Sequence, residues 1–581
     1  MKNPASSVVQ HFVRWRFTLL CIAILFCLIL LLGRVGWLQI VENKKLVVAE
    51  NQRSLREEPV IVPRGMILDR NDKPLAVSVP VDAVWADPLV TMEKGGVLVD
   101  ARWQALADTL HLPLSTISSR INANPKGRFV YLARQVSPEQ ADYIRQLKLP
   151  GISLRGESRR FYPGGQLAAN LLGFTNIDDV GIEGIEKSFN ASLTGTPGKR
   201  LVREDRFHRV IENITEVSSR PAHNIILSID KRLQSLTEDA LGNAVSWNHA
   251  HSGAAVLIDI NTGEILAMAS VPTYNPNNRD GATLEDFRNR AISDTFEPGS
   301  TVKPLVLMTA LEQGIVHPDS LLDTRPYVID GHRIHDVGYY PQLTLTGILQ
   351  KSSDTGVSHL SLAMPIDKLL STYQGFGFGQ STGLGLTGES QGLLPHRAFW
   401  SELDRATISF GYGLTVTPLQ LAHAYATIGS YGIRRPLSIT RVDPPVEGTR
   451  VMPEEITHEV EHMMESVALP GGGGIKAAVR NYRVAVKTGT AKKLGADGKY
   501  VDKYIAYTAG VAPASHPRYA LAVVINEPQN GDYYGGAVAA PVFSEIMGDA
   551  LREDNIEPDG LPPDASNLVI LNTTDPAHPS L

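Results

Sequence analysis

The sequence predicts an α+β protein held by one N-terminal transmembrane helix. The first observation behind this is a single apolar run, Phe17 to Gly33, broken only by Thr18 and nearly extended by Val35 to Ile40. The second is that the remaining chain holds both helix-like spacing and strand-like alternation. The third is length: 581 residues suffice for about two or three domains with real cores.

The apolar run is long enough to span a bilayer when tilted. Lys2, Arg14 and Arg16 precede it, and no Asp or Glu occurs before Glu42. Positive residues on that side put the N-terminus in the cytoplasm. A cleaved signal peptide would want small residues after the apolar stretch, but Arg34, Trp37, Leu38 and Gln39 follow it. The expectation is therefore a tail over residues 1–16 and a retained anchor over 17–40. Both cysteines, Cys21 and Cys27, lie within the run. Beyond the membrane there is thus no disulfide, thiol nucleophile or thiolate metal site. A large disulfide-free part outside the cytoplasm fits a bacterial periplasm. A net charge of −6 with 20% charged residues gives no sign of nucleic-acid binding. None of the 16 histidines sits in a zinc-like spacing, and His251, His332 and His335 read as core or surface residues.

After the anchor, Asn43 to Glu58 is polar with helix-like spacing. Arg64 to Ala76 alternates like a strand, turns at Asn71-Asp72 and resumes. Spacing leaves open whether Arg64, Asp69 and Arg70 form a buried or an exposed ion network. Arg102 to Leu110, Leu114 to Ile121 and Pro138 to Leu147 read as helices. Arg159 to Pro163 and Gly181 to Glu186 close this half, and their glutamates are expected to be structural. Val202 to Ile229 alternates between turns, and Arg232 to Ala244 reads as a helix. Gly253 to Asp259 is a buried strand with a hairpin partner at Ile265 to Ser270. Gly471 to Gly474 reads as a loop rather than a phosphate site, because no strand precedes it. The proline-bearing tail after Asn555 reads as mobile or processed.

Glu297-Pro298-Gly299-Ser300-Thr301-Val302-Lys303-Pro304 precedes the apolar run Leu305 to Leu311. Pro304 suits the first turn of a helix, where its missing N–H costs nothing. Ser300 then lies at a helix N-terminus with Lys303 one turn on. A serine hydroxyl is a poor nucleophile until a base takes its proton. A desolvated, neutral lysine can do so, and the helix start supplies N–H groups for an oxyanion. Ser-x-x-Lys alone is weak: Ser228-Ile229-Asp230-Lys231 has the same spacing and reads as a solvated strand end.

Partners elsewhere strengthen Ser300. Lys351-Ser352-Ser353-Asp354-Thr355-Gly356 follows a helical segment, Leu345 to Leu349. Its hydroxyl at Ser352 suits a proton relay. Val484 to Ala491 alternates as an edge strand. Lys487, Thr488 and Thr490 there suit a substrate carboxylate, and Gly489 lets a ligand backbone lie alongside. The three motifs in this order form a strong constellation.

On these residues the chain resembles the penicilloyl serine transferases, which share Ser-x-x-Lys, Ser-x-Asn and Lys-Thr-Gly. The likeness runs from Arg64 to about Ile546. Arg64 to Ala76, Arg160 to Pro163 and Gly181 to Glu186 look like the pedestal motifs of class B penicillin-binding proteins. Thr273 to Asn277, Phe410 to Gly413 and Tyr533 to Gly536 look like the division-specific, FtsI-type branch. Nothing before Ser300 looks like a glycosyltransferase, which argues against class A.

The resemblance implies an antiparallel sheet flanked by helices over residues 222–553, carried on an elongated α+β pedestal over 41–221, with a tail over 554–581. It implies a peptidoglycan D,D-transpeptidase of the division septum in the inner membrane. Ser300 would attack the penultimate D-Ala carbonyl of a stem peptide, Lys303 would be the base, and Ser352 would pass the proton on. Lys487 would support that relay, while Thr488 and Thr490 bind the terminal carboxylate. The backbone N–H groups of Ser300 and Thr490 would form the oxyanion hole. No metal or organic cofactor is implied. The expected partners are stem peptides, lipid-linked precursor strands, division-complex membrane proteins including a glycosyltransferase, and β-lactams as covalent inhibitors.

One position departs from the family: Asp354 stands where it has Asn. Ionised Asp only accepts hydrogen bonds, whereas Asn also donates. This points to a specialised paralogue, with two readings open: Asp354 accepts the same hydrogen bond as Asn without consequence, or its protonation gives a preference for acidic pH. Two other uses of the same motifs are a β-lactamase or β-lactam sensor, and a catalytically weak division scaffold. A hydrolase needs a further group to activate water, and the scaffold reading conflicts with Ser300, Lys303 and Ser352 all being present.

Overall fold

The computed structural model describes residues 5–45, 48, 55–60, 62–97, 100–196, 198–204, 210–495 and 498–561. Lys2 and the tail beyond residue 561, with Pro562, Pro563, Pro576 and Pro579, lie outside them. The chain divides into two compact units, one of Met1–Val62 with Gly195–Pro221 and one of Pro63–Thr194 with the chain from Ala222 onward.

The first unit contains helix α1, Ala5–Ile40, whose stretch Arg14–Ile40 is long and apolar enough to cross a membrane and is not buried in the protein. It also contains a three-stranded antiparallel sheet. Leu55–Val60 pairs with Gly198–Glu204, which pairs with Val210–Val217. The helical reading of Asn43 to Glu58 is corrected here: residues 55–58 are strand, and Leu55 faces Arg203. The pairing that decides this comes from far along the chain, so local spacing does not carry it. Residues 46, 47 and 49–54 of that stretch lie outside the described residues.

In the second unit, Ile67–Leu68 and the 13-residue strand Pro74–Ala86 flank a turn with Asp72 at φ 60°. Pro74–Ala86 pairs with Val130–Val136 and with Ile152–Phe161. Helices Ala101–Thr109, Leu114–Asn122 and Pro138–Leu147 occur where their spacing predicts. Asp100 caps the first, and Ser137 with Gln140 forms a capping box on the third. Val84, Trp103, Leu106, Ile117, Ile121, Leu132 and Ile144 make a core of their own.

The pedestal-motif residues meet at Glu186. Arg64 Nε donates to Glu186 Oε2 at 2.7 Å and Arg160 Nε to Oε1 at 2.6 Å. All three side chains are buried. Arg64 also reaches Asp179 O, Asn190, Thr194 and Glu186 O, so one guanidinium ties several turns together. Asp69 accepts from the N–H groups of Asn71, Lys73 and Lys231, and Arg70 pairs with Glu264. Arg64, Asp69 and Glu186 are therefore buried and structural, while Arg70 is partly exposed.

The larger part of this unit is a five-stranded antiparallel sheet of β1 (Ser252–Asp259), β2 (Ile265–Val271), β3 (Ala485–Leu494), β4 (Tyr500–Ala512) and β5 (Tyr519–Asn526). The order is β2-β1-β5-β4-β3, which leaves β3 at an edge. Every residue of β1 is buried, which is why it reads as one apolar run rather than an alternation. Its helices include α2 (Lys231–Trp247), α3 (Lys303–Glu312), α4 (Leu345–Lys351), α5 (Asp354–Ala363), α6 (Pro418–Gly429), α7 (Glu454–Glu465) and α8 (Gly535–Glu553). α2 and α8 pack on each other and on the sheet, α6 packs on the sheet, and α3 is surrounded by α5 and α7. Eight of the ten residues of α3 are buried, Lys303 among them.

Candidate active site

Ser300 lies in a short 3₁₀ turn, Gly299–Val302, that runs directly into α3. The turn is fixed from behind by packing that admits no side chain. Gly299 has φ +50°, and a Cβ there would come 2.3 Å from Tyr507 Oη. Gly299 N–H donates to Gly411 O at 3.2 Å, and a Cβ on Gly411 would come 2.4 Å from Gly299 N. The Phe410 to Gly413 stretch thus acts as the floor under the serine.

Glu297 holds the same turn in a way that sequence reasoning missed. Its carboxylate accepts from Gly413 N–H at 2.9 Å and from Tyr500 O–H at 2.9 Å. Its carbonyl accepts from Tyr507 O–H at 2.9 Å. Burial pushes the Glu297 carboxyl up, against the pull of the Gly413 and Tyr500 hydrogen bonds. No local signal marks it, because its partners come from distant loops and strands.

Ser352 sits in the link between α4 and α5 with φ +56°, a left-handed conformation uncommon for serine. Asp336 over-determines that link. It accepts from Ser353 Oγ at 2.6 Å, Thr355 N–H at 2.9 Å and Thr355 Oγ1 at 2.9 Å. Ser353 in turn caps α5 through Gly356 N–H.

The three motifs, remote in sequence, converge on Ser352. Its Oγ lies 2.9 Å from Ser300 Oγ, 3.1 Å from Lys303 Nζ and 3.0 Å from Lys487 Nζ. Lys303 also donates to Ser352 O at 2.6 Å and to Asp354 Oδ1 at 2.6 Å. Lys487 also donates to Thr488 O at 3.0 Å. Both lysines are buried, whereas the Asp354 side chain is 37% exposed. Burial pushes Lys487 well below the usual lysine range, the Lys303 charge adds to this, and Asp354 opposes it.

On edge strand β3, Thr488 and Thr490 are half-buried and share a face. Thr490 Oγ1 accepts from Gly535 N–H at 2.9 Å, at the start of α8, which leaves its own O–H free to donate. Gly489 differs from expectation. A Cβ there would come 2.1 Å from the Tyr507 ring, so the glycine makes room for Tyr507 within the sheet. The free side of β3 remains open for an extended chain to pair. Ser228 is a buried structural serine, as it donates to Ile265 O at 2.7 Å. This corrects its solvated reading. Among the described residues, no group of three or more His, Cys, Asp or Glu is placed to hold a metal ion.

A nucleophile at a helix start, a second hydroxyl against it and two amines on that hydroxyl make a site for acyl transfer. A penicillin-binding protein transpeptidase domain model matches residues 253–548, and a penicillin-binding protein dimerisation domain model matches residues 59–227. The chain is 62% identical over 562 residues to peptidoglycan D,D-transpeptidase FtsI of Escherichia coli K12, covering 97% of this chain and 96% of that protein. It is 39% identical to the probable peptidoglycan D,D-transpeptidase PbpC of Pseudomonas aeruginosa, covering 94% and 96% respectively. A peptidoglycan synthetase structure from Bifidobacterium adolescentis matches with TM-score 0.70 at 27% identity, covering 88% of this chain and 99% of that one. The transpeptidase domain of Burkholderia pseudomallei penicillin-binding protein 3 matches with TM-score 0.54 at 38% identity, covering 58% and 98%. With relatives this similar over almost its whole length, the chain belongs to the class B penicillin-binding proteins of the FtsI type.

Proposed function

We propose that this protein is a membrane-anchored, serine-type D,D-transpeptidase that cross-links peptidoglycan stem peptides during cell division. The observation that carries the reading is the contact of Ser300 Oγ with Ser352 Oγ at 2.9 Å, with both lysines on the same relay. Ser300 attacks the penultimate D-Ala carbonyl and D-Ala leaves. An amine from a neighbouring stem then takes the acyl group. Thr488 and Thr490 hold the terminal carboxylate, and the N–H groups of Ser300 and Thr490 receive the oxyanion. A β-lactam enters as the substrate does but leaves Ser300 acylated.

Residues 222–553 carry this chemistry and residues 41–221 serve as its pedestal. The N-terminus is cytoplasmic and the catalytic part periplasmic, as Arg14 and Arg16 before the apolar run suggest. Its partners include lipid-linked precursor strands and division-complex membrane proteins, among them a glycosyltransferase. A hydrolase reading lacks support: Asp354, the unusual carboxylate of the motifs, is engaged by Lys303 at 2.6 Å. The test is the full chain in detergent, given nascent glycan strands polymerised from lipid-linked precursor. Cross-linked dimers with released D-Ala, abolished by penicillin and by Ser300→Ala, are expected. D-Ala release without cross-links, or turnover of penicillin within seconds, would overturn the reading.

A further inference from the structure

Lys303 and Lys487 both touch Ser352 Oγ, yet their surroundings differ. An ammonium has three N–H bonds to give, and Lys303 gives three: to Ser352 O, to Ser352 Oγ and to Asp354 Oδ1. A neutral amine has only two N–H bonds and would have to meet Ser352 Oγ with its lone pair. A carboxylate at 2.6 Å locks the proton there. Among the described residues Lys303 reaches Ser300 only through Ser352. Lys487 has two partners, Thr488 O and Ser352 Oγ, each at 3.0 Å. A neutral amine satisfies both, with one N–H on Thr488 O and its lone pair facing the Ser352 hydroxyl. Hydroxyl hydrogens turn to suit their neighbours. Ser352 Oγ donates to Ser300 Oγ in this arrangement, and turning its O–H to Lys487 leaves it to accept from Ser300 and Lys303.

We propose that the proton leaving Ser300 ends on Lys487, by way of Ser352, and that Lys303 is a fixed cation in this chain. The proposal rests on the transpeptidase reading and names the terminal proton acceptor within it. As Ser300 Oγ bonds to the carbonyl carbon, its proton passes to Ser352 Oγ. The Ser352 proton passes to Lys487 Nζ, and the carbonyl electron pair moves onto oxygen. When the tetrahedral species collapses, Lys487 returns a proton through Ser352 to the D-Ala nitrogen as the C–N bond breaks.

The charged groups that face Lys487 are Lys303 and Asp354. Burial and the Lys303 cation keep Lys487 neutral well below the usual lysine range, and Asp354 opposes them. Asp354 thus has a second effect besides its pull on Lys487: it keeps Lys303 charged. An Asn at this position carries no charge to do so.

Arginine separates the two lysines, because it keeps the charge but does not give up its proton. The experiment is the pH profile of penicillin acylation for the full chain in detergent, with Lys303→Arg and Lys487→Arg. The rate falls as pH drops through the pKa of the acceptor, which gives an acid limb. In Lys303→Arg the acid limb stays at the wild-type position although the rate falls. In Lys487→Arg the acid limb disappears and the rate drops by about 10²-fold or more. The opposite pattern, a limb lost in Lys303→Arg and kept in Lys487→Arg, overturns the proposal. Should either variant fail to fold by thermal unfolding, wild-type protein with ¹³Cε-labelled lysine is titrated by NMR. Lys487 losing its proton at lower pH than Lys303 supports the proposal, and the reverse order overturns it. Neither outcome depends on cross-linking, so failure here is distinguishable from failure of the transpeptidase reading.

Discussion

Asp354→Asn is the substitution that this site makes most informative. Asp354 Oδ1 is held by Lys303 at 2.6 Å, while Oδ2 has no hydrogen bond among the described residues and the side chain is 37% exposed. The ionised carboxylate therefore presents only lone pairs to an incoming amide, where Asn would present an N–H. Leaving one polar group unmatched costs about 1–3 kcal/mol, which corresponds to roughly 5- to 150-fold in rate. A second effect has the same sign. The Asp354 charge raises Lys487, so neutralising it helps Lys487 to stay a free amine. Wild type therefore loses the Lys487 free amine at a higher pH than Asp354→Asn does. The expected result is that Asp354→Asn acylates several-fold or more faster than wild type at about pH 7.5, with the gap no smaller at about pH 5. Stopped-flow acylation with a fluorescent penicillin across that range measures it. Superimposable profiles, or an Asn variant slower than wild type at neutral pH, would refute the reasoning.

Two further predictions concern stability. Glu186→Ala leaves the buried guanidinium groups of Arg64 and Arg160 without their carboxylate, and should destabilise the protein by about 3–5 kcal/mol, seen as a lower denaturant midpoint; a midpoint within error of wild type would show that the network is not needed. Glu461, on α7, is pushed up to about 8 by burial and then by the Glu465 charge, with Arg483 opposing. A raised carboxyl favours folding while protonated, so its contribution is full below the unfolded pKa of about 4.3 and is lost as pH rises through about 8. Glu461→Gln should therefore flatten the fall of Tm between about pH 5 and pH 8. An unchanged slope would mean that the carboxyl is not the titrating group.

What could be read from the sequence follows from what is local. The buried strand at Ser252–Asp259, the helices at Ala101–Thr109 and Pro138–Leu147, and the anchor each carry their pattern within a few turns. Ser300, Ser352 and Lys487 stand out only as a constellation, and the fold brings Ser300 Oγ to 2.9 Å and Lys487 Nζ to 3.0 Å from Ser352 Oγ. The strand at Leu55–Val60 was misread because its partner, Gly198–Glu204, is remote. Gly411 beneath Gly299, Tyr507 against Gly489 and Glu297 between Gly413 and Tyr500 are close approaches across the fold. Such contacts leave no period in the sequence. The motifs also do not say which lysine has all three N–H bonds engaged by acceptors. That depends on Asp354 facing Lys303, which only the arrangement of α3 and α5 decides.

The most direct test of the central claim, that Ser300 is the acylated nucleophile, is peptide mapping of the full chain after incubation with labelled penicillin. The expected adduct is on the peptide bearing Ser300 alone, and Ser300→Ala should carry no label. Label on the peptide bearing Ser228, or undiminished labelling of Ser300→Ala, would contradict it.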